Sequence, residues 1–186
     1  MNKREKQLQS VTVIPIQKHQ STINLSDYQM QWKEDFQIEK HHLKETLKEK
    51  ALMIEHVGST SVEGLCAKPI IDILLIVEDS SKEEDYLSEL EEAGYWLKIR
   101  EPDWNQHRMF KGPRCDINLH VFSQGCKEAK RMLMFRDWLR QHPEDRDLYA
   151  HKKKELSLKV WEYIQDYADA KSEVVREIME RAEVFI

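Results

Sequence analysis

The sequence has few cysteines, and their arrangement argues against both metal binding and disulfide formation. Cys66, Cys115 and Cys126 are odd in number and widely spaced, and no Cys-x-x-Cys pair occurs. Structural zinc sites and disulfide frameworks depend on closely spaced or even-numbered cysteines. We therefore expect three free thiols, buried or half-buried.

Long apolar runs and a basic excess are also absent. No apolar run approaches the roughly 20 residues that span a bilayer. The polar, charged N-terminus lacks the apolar core of a signal peptide. We therefore expect a cytoplasmic protein without a membrane partner. The net charge of −5 argues against a general nucleic-acid binder, because such proteins usually carry an excess of basic residues.

The 186 residues are 40% hydrophobic and 34% charged, a composition typical of a globular protein. Predicted strands concentrate between residues 51 and 122, and helices occupy both ends. This order predicts an α+β fold, with a small mixed sheet flanked by helices and a C-terminal helical bundle. We expect residues 1–25 to form an extended or loosely ordered lead-in and residues 26–186 a single domain, whose helical part begins near residue 126.

Local patterns predict the individual elements. Trp32, Phe36, Leu43 and Leu47 share one helical face, which predicts a helix over residues 29–49. Strands are predicted at 51–57, 70–78, 95–100, 107–111 and 115–122. Ser81 and Glu84 have the spacing of a capping box, which predicts a helix from there to about Gly94.

Three further helices are predicted after residue 125. The first carries Met132, Leu133, Phe135 and Leu139 and is ended by Pro143. The second carries Leu156, Val160 and Ile164, and the third carries Val174, Ile178 and Ala182.

The most informative segment runs from His56 to Val77. It contains a glycine-punctuated turn with clustered hydroxyls, then Lys68, then a nearly continuous apolar strand that Asp72 interrupts. Such an apolar run is typical of a strand that is covered on both faces of the sheet. A carboxylate inside it is costly unless it has a partner, a proton or a metal ion.

This combination suggests nucleotide chemistry. Backbone amides and hydroxyls at a turn can hold phosphates, and here the turn supplies Gly58, Ser59, Thr60 and Ser61. Asp72 would hold a divalent ion, Mg²⁺ or Mn²⁺. Asp116, Asn118 and His120 alternate along one polar strand face and would complete the ion site. A structural pairing of Asp72 with Lys68 remains open beside this interpretation.

The segment His56–Ile73 resembles the signature of the GrpB family of predicted nucleotidyltransferases. Further landmarks follow in the family's order and extend the resemblance over about residues 25–184: Gly94-Tyr95, His107-Arg108, Asn118–Phe122, Phe135–Arg140, Tyr149 with Lys153, and Tyr167 with Lys171. The resemblance implies the nucleotidyltransferase fold, in which a Gly-Ser turn precedes a strand that bears acids. Some relatives carry this domain fused to a dephospho-coenzyme A kinase.

The resemblance also implies roles for residues and reveals a departure. Lys68 would neutralise charge on the phosphates. An acidic group of the substrate or nucleotide would be bound by His107, Arg108, Arg136, Arg140, Lys153 and Lys171. The superfamily pattern has two acids separated by one residue. Here the residues two positions before and two positions after Asp72 are Ile70 and Leu74, so one of the paired acids is missing. Asn118 or His120 would replace the usual third acid. With Asp72 alone, one ion, a weak ion site or no ion is expected.

Two main functions follow. The first is a metal-dependent nucleotidyltransferase that moves a nucleoside monophosphate from a nucleoside triphosphate to a small molecule or a protein, with Asp72, Asn118 and His120 as catalytic residues. The second is a catalytically inactive nucleotide- or anion-binding protein that keeps the phosphate turn. A protein whose helical tail docks a partner is a third interpretation. The sequence leaves the oligomeric state open.

Overall fold

A computed structural model describes residues 1–184 and contains a five-stranded mixed sheet with helices on both faces. The strand order is β1-β2-β5-β4-β3; β2 and β5 are parallel, and the other neighbours are antiparallel. The predicted α+β class with a small mixed sheet is confirmed. The strands are β1 (Met53–Val57), β2 (Ile71–Val77), β3 (Trp96–Glu101), β4 (His107–Lys111) and β5 (Ile117–Ser123).

Helices precede, interrupt and follow the strands. Four of them come after β5, as the predicted C-terminal helical bundle requires. Within residues 1–184 no helix is both long and apolar enough to cross a membrane. The helices are α1 (Lys3–Val11), α2 (Gln31–Leu47), α3 (Leu87–Glu92), α4 (Lys127–Gln141), α5 (Pro143–Ser157), α6 (Ile164–Asp169) and α7 (Ser172–Val184).

The central strand β2 is covered on both faces, as its apolar run predicts. Ile71, Ile73 and Leu75 are buried in a core that includes residues of α2 and α3. Leu74 and Ile76 point to the opposite face and pack with residues of α4, because side chains alternate along a strand. Burying each of these side chains stabilises the fold by roughly 1.5–3 kcal/mol. The parity of the alternation puts Asp72 on the α4 face.

The first 25 residues differ from the expected extended lead-in, because Lys3–Val11 form α1. Asn2 caps this helix by accepting a hydrogen bond from the Glu5 amide at 2.8 Å, and Glu5 returns the contact to the Asn2 amide. Arg4 donates to Asp166 of α6 at 2.8 Å. The helix lacks buried residues, so the sequence has no apolar periodicity that would predict it. Its N-terminal cap and its contacts with α6 stabilise it instead.

The predicted capping box at Ser81 was wrong. The Ser81 hydroxyl donates to Asp79 at 2.7 Å, and α3 begins only at Leu87, after a short 3-10 turn at Glu83–Asp85. The Glu83 carboxylate binds Arg100 and Arg108 at 2.5 Å each. Tertiary ion pairs therefore override the local start signal.

The predicted helix through Leu156, Val160 and Ile164 is divided in the structure. The helix α5 ends at Ser157, α6 begins at Ile164, and Val160 is exposed. Trp161 causes the break, because its indole donates to the Leu156 carbonyl at 2.9 Å and its amide donates to the Ser21 carbonyl at 3.1 Å.

Pro143 stands at the first turn of α5, where its missing amide proton costs nothing.

Candidate functional site

Asp72 lies at the centre of the candidate site, near the start of β2. The parallel register sets Asp72 beside Asn118 and Leu74 beside His120, so both polar side chains of β5 share the face of Asp72. The Asn118 amide donates to Asp72 Oδ1 at 2.8 Å, and His120 Nε2 lies 3.7 Å from the same oxygen. Burial raises the pKa of the Asp72 carboxyl, but the contacts of His120 and Asn118 outweigh this and hold the pKa below its usual value. Asp72 is therefore a carboxylate.

A chain of hydrogen bonds extends from His120, beside Asp72, across the sheet. His120 Nδ1 lies 3.0 Å from His107 Nε2, and His107 Nδ1 lies 2.7 Å from the Glu101 carboxylate. Burial lowers the pKa of His107, and the Glu101 contact opposes that shift. His107 is only 4% exposed and orients His120, and its contact with a ligand stays a prediction.

The turn before β2 covers the Asp72 carboxylate. Gly58 adopts a φ of 68°, and a Cβ there would overlap the carboxylate, at 2.9 Å from Cγ. The Ser61 hydroxyl donates to the Gly58 carbonyl at 2.6 Å, and the Thr60 hydroxyl donates to the Ile70 carbonyl at 3.0 Å. The buried Thr60 and Ser61 side chains thus hold the turn, whereas Gly58 is exposed and Ser59 half-buried.

His56 supports the same turn from the end of β1. Its Nε2 lies 3.0 Å from the Thr60 hydroxyl, and its ring stacks on Phe36 at 4.7 Å. Because the Thr60 hydroxyl gives its proton to the Ile70 carbonyl, His56 Nε2 must carry a proton and donate. Burial lowers the pKa of His56 to about 4, so the ring is neutral at physiological pH.

Three lysines from separate segments surround Asp72: Lys68 before β2, Lys153 on α5 and Lys171 before α7. Burial lowers the pKa of all three. The three ammonium groups interact with one another, and each interacts favourably with Asp72. Within residues 1–184, none of them has a carboxylate close enough to form an ion pair.

Two tyrosines hold these lysines. The Nζ atoms of Lys171 and Lys68 lie 4.6 and 5.8 Å from the centre of the Tyr167 ring. Lys153 Nζ lies 5.3 Å from the centre of the Tyr149 ring and donates to the Cys66 carbonyl. Such cation–π contacts stabilise ammonium groups in place of a counterion. The Tyr167 hydroxyl is buried and has no hydrogen-bond partner among the described residues.

Lys68, Lys153 and Lys171 were predicted from the sequence to bind ligand, whereas Tyr149 and Tyr167 were named only as landmarks of the resemblance. A signal for them exists, because Tyr149 and Lys153, like Tyr167 and Lys171, stand four residues apart. On a helix this spacing brings the two side chains together. The repeated Tyr-x-x-x-Lys pair therefore marks two walls of the site.

Other predicted ligands have partners of their own. Arg108 is buried and binds Glu83. Arg136 binds Glu55 at 2.8 Å and also donates to the His56 carbonyl at 3.0 Å. Both arginines therefore have structural roles here.

Asp116 was expected to complete a metal site, but it precedes β5 and binds Lys111. Among residues 1–184, no group of three His, Cys, Asp or Glu side chains could hold a metal ion. A divalent-ion site needs several carboxylate or carbonyl oxygens. Here Asp72 stands alone among three lysines, so this donor set does not fit Mg²⁺ or Mn²⁺.

A cleft of about 510 Å³ continues from this site between α4, α5 and α7. Tyr149 and Lys171 belong to both the site and the cleft. Its volume is within the range of small-molecule sites. Its other lining residues include Arg131, Val175, Arg176 and Met179.

The fold and the site define an α+β protein with a lysine-rich centre built around a single carboxylate. The family model described as GrpB protein matches residues 22–181. The chain belongs to the GrpB family, which confirms the resemblance seen in its sequence.

Relatives and a solved structure agree with this assignment. A UPF0157 protein of Halalkalibacterium halodurans is 55% identical over 178 residues, which cover 96% of this chain and 91% of that protein. A UPF0157 protein of Streptomyces coelicolor is 42% identical over 86% of this chain and 84% of that protein. The crystal structure of the conserved protein GrpB from Enterococcus faecalis has a TM-score of 0.71 and 35% identity, and the match covers 86% of this chain and 96% of that one.

Proposed function

We propose that the protein binds the phosphate groups of a nucleotide beside Asp72. The observation that carries this proposal is the convergence of Lys68, Lys153 and Lys171, which lack ion-pair partners within residues 1–184. Buried like charges destabilise a fold unless they are compensated. A bound polyphosphate would supply the missing negative charge.

The turn supplies the second part of the binding site. Gly58 and Ser59 are the accessible members of the turn. Backbone amides at such a turn donate to phosphate oxygens without adding side-chain bulk. The lysines would neutralise the outer phosphates from the other side, as point charges with rotatable donors. The adjoining cleft at Tyr149 and Lys171 has the volume to take the nucleoside.

Nucleotidyl transfer is a second candidate, and the ionised Asp72 beneath the turn favours it. In this reaction an acceptor hydroxyl oxygen attacks the α-phosphorus, and the bond to the β-phosphate oxygen breaks. Pyrophosphate leaves, and the acceptor's proton passes to the Asp72 carboxylate. The acceptor would be a small molecule or a protein. His120, oriented by His107, keeps the carboxylate in position.

The binding proposal is tested by titrating the four ribonucleoside triphosphates into the protein, with and without Mg²⁺ or Mn²⁺. We expect binding of at least one nucleotide by the wild type and a loss of roughly tenfold or more in Lys171→Met. Lys154→Met is the matched control, because Lys154 is an exposed neighbour of Lys153 on α5. The absence of nucleotide binding under every condition would refute the proposal.

Transfer is tested separately by following pyrophosphate release from a nucleoside triphosphate. Without an added acceptor, water takes the place of the acceptor hydroxyl. Slow release by the wild type that disappears in Asp72→Asn would support transfer. Binding without any release, also in the presence of candidate acceptors, would support the binding function alone.

A further inference from the structure

One oxygen of Asp72 is already engaged before any ligand arrives, and the turn lies against the other. Oδ1 accepts a hydrogen bond from Asn118 and faces His120, and Gly58 lies directly against the side of Oδ2. A divalent ion bound at Oδ1 would have to displace the Asn118 hydrogen bond. It would gain only one carboxylate, whereas ions that serve phosphoryl chemistry are held by carboxylates together with the phosphates.

The positive charge of the lysines around Asp72 also opposes the binding of a divalent cation. Lys68, Lys153 and Lys171 bring three amino groups to one carboxylate. The aromatic rings of Tyr167 and Tyr149 fix their positions. A divalent ion between them would be repelled, because like charges at short range in a poorly hydrated site interact strongly.

We propose that these three lysines take the place of the divalent cation, so that the site binds polyphosphate in its metal-free form. This inference rests on the proposed phosphate-binding function and specifies the ionic form of the ligand. The unpartnered Tyr167 hydroxyl, which has no hydrogen-bond partner within residues 1–184, is a further donor at the same cluster.

The role of Asp72 follows from this proposal and distinguishes it from a metal site. If Asp72 held a metal ion that binds the phosphates, Asp72→Asn would weaken binding. If the lysines bind the phosphates directly, the Asp72 carboxylate repels the ligand and partly neutralises the lysines. Asp72→Asn would then strengthen binding, by roughly threefold or more.

The experiment titrates sodium pyrophosphate and ATP into the protein by calorimetry, once with EDTA and once with excess Mg²⁺. We expect binding in EDTA, weaker binding with Mg²⁺, and tighter binding by Asp72→Asn. Lys68→Met and Lys171→Met should each lose roughly tenfold or more in affinity. Lys154→Met should bind as the wild type does, and unfolding curves verify that every variant is folded.

The outcomes separate this inference from the function on which it rests. Binding that requires Mg²⁺, or that is lost in Asp72→Asn, would overturn the metal-free site and leave phosphate binding intact. Failure of both pyrophosphate and ATP to bind under either condition would overturn both proposals.

Discussion

Replacing Lys153 by methionine should stabilise the protein at pH 6 and lose most of this advantage by about pH 9.5. Lys153 is 2% exposed, and burial together with the nearby Lys171 ammonium lowers its pKa to about 7. Asp72 and Cys66 oppose the shift, and Lys68 adds to it. Methionine has a similar length and no charge, so it removes the cost of burying an ammonium group.

The size of the effect follows from linkage between protonation and folding. In the unfolded chain Lys153 has the ordinary lysine pKa of 10.5, so folding lowers the pKa by roughly 3.5 units. At about 1.4 kcal/mol per unit, this destabilises the fold by roughly 5 kcal/mol below pH 7. The penalty decreases as the pH rises toward 10.5, because the unfolded chain binds the extra proton only below that value.

The substitution also has a cost that does not depend on pH. The Lys153 ammonium donates to the buried Cys66 carbonyl, and methionine leaves that carbonyl without its donor, which costs about 1–3 kcal/mol. The expected net gain is therefore roughly 2–4 kcal/mol at pH 6. At pH 9.5 the remaining penalty on lysine is only about 1–2 kcal/mol, so the gain disappears or changes sign.

Urea unfolding of the wild type and the variant at several pH values between 6 and 9.5 measures this difference. Lys154→Met serves as the control, because its side chain is exposed, and its effect should be small and independent of pH. A difference between wild type and Lys153→Met that stays constant over this range would refute the depressed pKa. The same variant should also lose phosphate binding, so stability and function are expected to oppose each other here.

Three further substitutions test other parts of the site. Gly58→Ala should destabilise the protein by about 3 kcal/mol or more, because the new Cβ would overlap Asp72. Gly125 also has a positive φ, of 80°, but has open space around it, so Gly125→Ala should cost only about 1 kcal/mol. Equal losses in denaturant titrations would contradict the overlap. Tyr167→Phe should raise the free energy of unfolding by about 1 kcal/mol, because it removes a buried hydroxyl without a partner within residues 1–184; a loss would indicate that the hydroxyl is satisfied. The pKa of His56 is lowered to about 4, so the protein should lose about 2–3 kcal/mol of its free energy of unfolding as the pH falls from 6.5 to 4.5. His56→Gln should reduce this loss. An unchanged acid dependence in urea unfolding would argue against a neutral buried ring.

The sequence by itself determined the parts of the site that are local. The apolar run around Asp72 predicted a strand covered on both faces, and alternation along β5 put Asn118 and His120 on one face. Gly58 was recognisable as a turn residue from its setting before that strand. These features follow from periods of two residues and from the conformational freedom of glycine, so they need no knowledge of the rest of the chain.

Local signals failed where polar groups formed contacts that the sequence pattern does not show. Glu83 and Ser81 have partners that displace the predicted helix start, and Trp161 breaks the predicted helix after Ser157. Asp116 has the parity to face Asp72, but it lies before the start of β5 and binds Lys111. A pattern of spacing gives the face of a side chain, and only packing gives its partner.

The sequence marked the three lysines as candidate ligands, but only the tertiary structure brought them together. Lys68, Lys153 and Lys171 belong to three separate segments, and a charged residue on a helix is usually exposed to solvent. The packing of α5 and of the segment before α7 over the Asp72 face of the sheet buries Lys153, leaves Lys68 and Lys171 half-buried, and brings the three amino groups together. Burial and proximity lower their pKa values and create the demand for an anion, and neither quantity exists before the chain has folded.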